Sequence, residues 1–223
     1  MKNLTLFLAL ALSTGIVTAA ASRATADAMA PKPSASEQAF VDRVSRDLNE
    51  RFATTADATR GGYYRYTNED ESGAISWVNP RYWQSDIKHP SQLWYDVSGR
   101  LIGADYSVLQ STSPKAPAMW GVAPSRWTTF EAHVHYGLKG ANGQITFGGL
   151  GPKSMAKAGG SLANPTADNV VAAQKAKSVS DVAFVFAFPA IWDLQLWVIP
   201  NPNGAFAEMN PNVKPSKGAK HSM

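Results

Sequence analysis

The feature that most constrains this chain is a change of hydrophobic period at Gly61-Gly62. Before it, Phe40, Val41, Val44, Leu48 and Phe52 recur at helical spacing, while Asp42, Arg43, Arg46, Asp47 and Glu50 take the other face. That pattern predicts one amphipathic helix laid on a flat apolar surface. Ser34, with Glu37 three residues later, is a capping box that starts it. From Tyr63 onward apolar and polar residues alternate and β-branched and aromatic side chains become frequent, as in strands with one buried face. The predicted strands cover 63–67, 74–78, 92–97, 100–109, 128–138, 144–148, 182–188 and 192–200. Ser98-Gly99 closes the clearest hairpin and Lys139 to Gly143 closes another. The nearly all-apolar 182–188 segment reads as a strand covered on both faces. The prolines of 111–126 predict a long loop, and Asn164-Pro165 predicts a short helix reaching to about Lys177. The fold class is therefore mainly β (α+β): an antiparallel β-sandwich or partly open barrel with one N-terminal amphipathic helix.

A second constraint is the address. Lys2 precedes an uncharged apolar run, Leu4 to Ala21, and then small-x-small triplets ending at Ala21, Ala26 and Ala28. This is the layout of a secretory signal peptide, so residues 1–28 are expected to be removed and the mature protein to be periplasmic or secreted. Residues 29–213 are then one β domain and 214–223 a disordered basic tail. The chain holds no cysteine, which removes disulfides, thiol catalysis and thiolate metal sites and leaves the apolar core to hold the fold. A formal charge of +4 over 223 residues is too small and too scattered for a nucleic-acid partner. After the leader no run is expected to span a membrane; the longest, Val182 to Trp192, is broken by Pro189 and stopped by Asp193.

One segment has side-chain types and spacing that agree on a site. If 128–138 is a single strand, Glu131, His133 and His135 share one of its faces, and two alternate imidazoles plus a carboxylate can converge on a divalent metal: zinc, copper, iron or manganese. The same face in a strand exposed to water would do nothing. Asp193 and Gln195 share a face in a strand rich in tryptophan, including Trp197, so a hemmed-in carboxylate there needs a partner. His89 is a third candidate imidazole. Trp94, Trp127 and Trp197 stand for the abundant aromatics, which either fill the core or line a pocket for a flat ligand. No nucleophile elbow, zincin helix, P-loop or dinucleotide glycine pattern is present.

Two stretches, His89-Pro90-Ser91-Gln92-Leu93-Trp94-Tyr95 leading into Gly99-Arg100-Leu101, and Leu194 to Val213, resemble uncharacterised exported bacterial proteins. The resemblance implies a single exported domain of unassigned function and carries over no catalytic residue. Three functions are compatible with these readings. The first is an exported binding protein with an aromatic-lined pocket for a small molecule or a metal held by the His-x-His pair. The second is a metal-dependent enzyme using Glu131, His133 and His135, and the third is a structural envelope protein.

Overall fold

A computed structural model describes residues 29–219; the signal-peptide reading and His221 lie outside the described residues. The chain is mainly β, with two antiparallel sheets. The larger contains β1 (Tyr64–Arg65), β2 (Ile75–Val78), β3 (Gln92–Tyr95), β4 (Leu101–Leu109), β5 (Thr128–Phe130) and β9 (Ile191–Trp197), in the order β1-β2-β3-β4-β9-β5. The smaller contains β6 (His133–Lys139), β7 (Ile145–Leu150) and β8 (Val182–Phe188), with β6 central.

Helix α1 (Ala35–Arg51) begins at the predicted capping box, where Ser34 and Glu37 satisfy each other's backbone N–H groups. Its apolar stripe is buried as expected, with Phe40, Val44 and Leu48 at most 1% exposed. The stripe packs on one face of the large sheet, against Leu93, Tyr95, Ala104, Tyr106, Leu194 and Leu196. A buried ion pair, Arg126 Nε donating to Glu37 Oε1 at 3.0 Å, ties the start of α1 to the loop before β5. That guanidinium holds the Glu37 carboxyl down at about 2.

Three further six-residue helices follow, of which α2 and α3 were not expected. A Thr54–Asp57 capping box starts α2 (Thr55–Arg60), and α3 (Pro152–Lys157) begins on a proline at its first position. Helix α4 (Ala167–Ala172) replaces the predicted helix from Asn164: Thr166 and Asn169 form the capping box, and Gln174 at φ 58° ends the region before Lys177. Met155 of α3 and Val170 of α4 cover Val134, Tyr136 and Leu150 on the outer face of the small sheet.

The main departure is at 128–138, which is not one strand. β5 pairs with β9 in the large sheet, and after Glu131-Ala132 the chain enters the small sheet as β6. The sheets thus meet face to face, with Phe184, Phe186 and Phe188 of β8 packed toward Tyr66, Val78 and Ile191. Trp94, Ile102 and Trp197 fill the rest of that face together with Val213. Gly103 lies between the two indoles, and a Cβ there would come within 2.2 Å of Trp94 Cε3. The β3–β4 loop is longer than the predicted two-residue turn, because Asp96 Oδ1 accepts from Ser98 N and Arg100 N and ends the strand at Tyr95. Gly99 nevertheless has the expected positive φ of 80°. β8 is half-buried rather than covered on both faces, since it is an edge of its sheet. At the C-terminal end, Ser216 N donates to Glu69 Oε1 at 2.7 Å, so the chain is held past Val213.

Candidate functional site

The layer between the two sheets gathers two imidazoles and two carboxyls. On β6, alternation turns His133 and His135 inward and Val134 and Tyr136 outward. Glu131 does not join them: it stands in the exposed link between the sheets, so the three-residue face expected from an unbroken strand does not form. What Glu131 supplies is its backbone carbonyl, which accepts from His133 Nδ1 at 2.7 Å. A carbonyl can only accept, so a neutral His133 carries its proton on Nδ1 and leaves Nε2 bare. That Nε2 is 2.9 Å from His135 Nε2, which must therefore be the donor. The imidazoles are walled by aromatics: His133 stacks on Phe188 at 4.4 Å, and His135 stacks on Phe186 and meets the ring of Tyr66 at 4.7 Å. Burial lowers the pKa of both, and proximity to His133 takes His135 down further, to about 3.

Deeper on the same face of the large sheet lie Asp105 of β4 and Asp193 of β9, 5% and 1% exposed. Trp94 Nε1 donates to Asp105 Oδ2 at 2.7 Å, and Tyr66 Oη donates to Gln92 Oε1 beside them. The two carboxyls are within hydrogen-bonding reach of each other, while Oδ1 of each has no other donor among the described residues. Two ionised carboxylates cannot bond to one another, so a shared proton satisfies both. Burial raises both, and the charge of Asp193 raises Asp105 further, so the pair holds one proton in common. Among the described residues no three His, Asp or Glu side chains come together as a metal-holding group.

The other sequence candidates are dispersed. Gln195 is half-buried on β9, opposite Asp105. Trp197 is 1% exposed and donates from Nε1 to Ala207 O at 2.7 Å, and Trp127 is 5% exposed in the core under α1. His89 is held in its own turn, with Nδ1 2.8 Å from Asp86 Oδ2 and its ring stacked on Tyr82.

The accessible concavity lies elsewhere, around the β1 edge of the large sheet and beside the β6–β7 hairpin. It encloses about 940 Å³ and is lined by Tyr63, Tyr64, Trp77, Phe147 and Phe184, with Thr59, Arg65, Asn68 and Gln144 among the polar groups. A smaller hollow of about 290 Å³ continues past Arg65 and Trp77, which line both, toward the β3–β4 loop. Register explains the shared pair: Arg65 on β1 faces Trp77 on β2 across the ladder. The hairpin is fastened over the cleft by Asn68 Nδ2 donating to Phe147 O at 3.4 Å and by the Arg65 guanidinium 5.0 Å above the Phe147 ring. The Tyr63-Tyr64-Tyr66 run and Trp77 stand out in the sequence as part of its aromatic abundance; Phe147 and Phe184 do not, because only strand pairing brings them to the same opening.

Compared with protein-family models, curated proteins and solved structures, the chain matches none of them. Among the described residues no helix is long and apolar enough to cross a membrane.

Proposed function

We propose that this is an exported binding protein whose aromatic cleft between the β1 edge and the β6–β7 hairpin takes a small molecule with flat faces, such as a sugar or an aromatic ring. The observation that carries the reading is the company of half-buried Tyr64, Trp77, Phe147 and Phe184 around one open volume of about 940 Å³, with amides and hydroxyls at its rim. These rings touch one another, as Tyr64 and Phe147 each do with Phe184, yet they also line an open volume. A volume of this size lies in the range of ordinary ligand pockets, and rings flanked by a few polar groups are how such pockets grip flat ligands. The test is titration calorimetry of the purified protein with a panel of neutral and acidic oligosaccharides and simple aromatic acids. A ligand should bind, and Phe147→Ala should weaken it about fivefold, since stacking on one ring contributes roughly 1 kcal/mol. Saturation of a ligand unaffected by Phe147→Ala would place binding somewhere else.

A second reading, a metal held by His133 and His135, is favoured by one observation. The Nδ1–H of His133 is anchored on Glu131 O, the outer-shell hydrogen bond that metal-ligating imidazoles use to present Nε2, and the two Nε2 atoms converge. A metal there would displace the Nε2 proton of His135, so affinity should fall as the pH drops. Elemental analysis of untagged protein, compared with His133→Ala/His135→Ala, tests it: stoichiometric metal lost in the variant supports the reading, and equal metal content in both overturns it.

A further inference from the structure

Among the groups that line the larger cleft, Arg65 is the charged one, and no Asp or Glu lines it. Its Nε donates to Thr67 O at 2.9 Å and its plane lies over Phe147, but among the described residues it forms no ion pair, and its Nη donors have no hydrogen-bond partner. The acid whose field reaches it, Glu69, is 8% exposed, and both its carboxylate oxygens accept from Ser216 instead. Asp96, at the far end of the smaller hollow, is likewise occupied by Ser98 and by the backbone and guanidinium of Arg100. The cleft therefore offers an unmatched guanidinium, held in place by its own backbone bond and by stacking, at the point where both hollows meet.

Resting on the binding reading above, we infer that the ligand carries a carboxylate on a ring that stacks in the cleft, and that Arg65 determines this preference. The planar fork of a guanidinium matches the two oxygens of a carboxylate, and a charge-assisted pair at a partly covered site is stronger than a neutral hydrogen bond. Trp77, directly across the ladder from Arg65, and Phe147, beneath its guanidinium, supply the ring faces beside that charge. Sugar acids and aromatic acids share this chemistry.

The experiment compares trigalacturonate with its fully methyl-esterified form, and benzoate with benzamide, by calorimetry at low salt. The acid of at least one pair should bind about tenfold tighter than its neutral twin, and the favoured pair identifies the source of the carboxylate. Arg65→Gln should abolish that difference, chiefly by weakening the acid, and added salt should shrink it in the wild type. Arg65 is exposed, so the variant is expected to fold. A neutral form that binds as tightly as its acid, or an acid preference that survives Arg65→Gln, overturns the assignment of Arg65 while leaving the aromatic cleft standing. Binding of neither form of either pair, with no other ligand from the panel bound, overturns both.

Discussion

The two faces of the large sheet are built on opposite principles. The face under α1 is apolar nearly throughout, and the tyrosines within it end on backbone carbonyls: Tyr63 Oη donates to Pro90 O at 2.7 Å and Tyr95 Oη to Phe52 O at 2.8 Å. Its buried ionic contact among the described residues, Glu37 with Arg126, sits at the rim and is fully matched. The opposite face, against the small sheet, buries two carboxyls and two imidazoles that form no salt bridge among the described residues. One face therefore provides stability that varies little with pH until Glu37 is protonated, while the other is opposed by each charge that its imidazoles or its second carboxyl would gain. The difference suggests that α1 and its sheet form the anchor, and that the small sheet, with the cleft at its edge, is the adjustable half.

The largest expected effect tests the anchor. Leu48 is fully buried in the α1 stripe, so Leu48→Ala should cost about 3–4 kcal/mol in chemical denaturation, by lost transfer energy and the cavity left behind. The loss should be the same at pH 5 and pH 8; a loss that varies by more than about 1 kcal/mol across that range would mean the two faces are not independent. Next comes Glu37→Gln, expected to cost about 2–3 kcal/mol at neutral pH because it removes the charge opposite a buried Arg126. The Glu37 pKa is depressed in the fold, so its contribution is present above the ordinary carboxyl range and disappears as the pH falls toward about 2. Wild type and variant should therefore converge in acid.

The contrast between the faces also accounts for what the sequence makes legible. The α1 stripe, the capping box, the strand 182–188 and the positive φ at Gly99 are set by neighbours a few residues away, and each can be read locally. The Glu131/His133/His135 face cannot, because alternation alone does not show that the chain leaves one sheet at Glu131-Ala132 and enters another. Asp105 is hidden for a related reason. Gly103, Asp105 and Ser107 alternate with Ala104, Tyr106 and Val108, so they read as a wet face, and only the small sheet and the C-terminal segment packed over it make that face dry. Asp193 is legible as a hemmed-in carboxyl, but its partner, 88 residues earlier in the chain (193 − 105 = 88), is supplied by the β4–β9 pairing. Trp94, Trp127 and Trp197 show the limit of composition: the residue type suits both a core and a pocket, and these three went to the core.

Smaller effects should appear when the pH-sensitive face is altered. His133 and His135 have folded pKa values below the ordinary imidazole value of about 6.5, so the unfolded chain takes up protons first as the pH falls. Their neutral burial should cost the wild type about 2 kcal/mol or more on going from pH 7 to pH 5, and His133→Phe/His135→Phe should remove that slope by replacing them with rings that fit the aromatic layer. Melting curves across this range provide the measurement. An unchanged slope would assign the acid sensitivity to other groups.

The smallest effect is expected with the opposite sign. Asp105 has a folded pKa raised above its unfolded value by burial and by the neighbouring Asp193, so its contribution is complete below the ordinary carboxyl range and is lost as the pH rises through the folded value. Asp105→Asn keeps an oxygen for the Trp94 Nε1 donor and places an N–H group where the shared proton was, so the geometry survives while the titration is removed. The variant should be level with the wild type near pH 4 and more stable at pH 8, because only the wild type must then hold a proton that its unfolded chain has released. Between pH 4 and 6.5 the two slopes oppose each other, the imidazoles favouring higher pH and the diacid lower. Removing either pair should shift the pH of maximal stability in a predictable direction: downward for the histidine variant and upward for Asp105→Asn. Two maxima that move the same way, or neither moving, would show that the layer between the sheets is not the pH-sensitive half of the molecule.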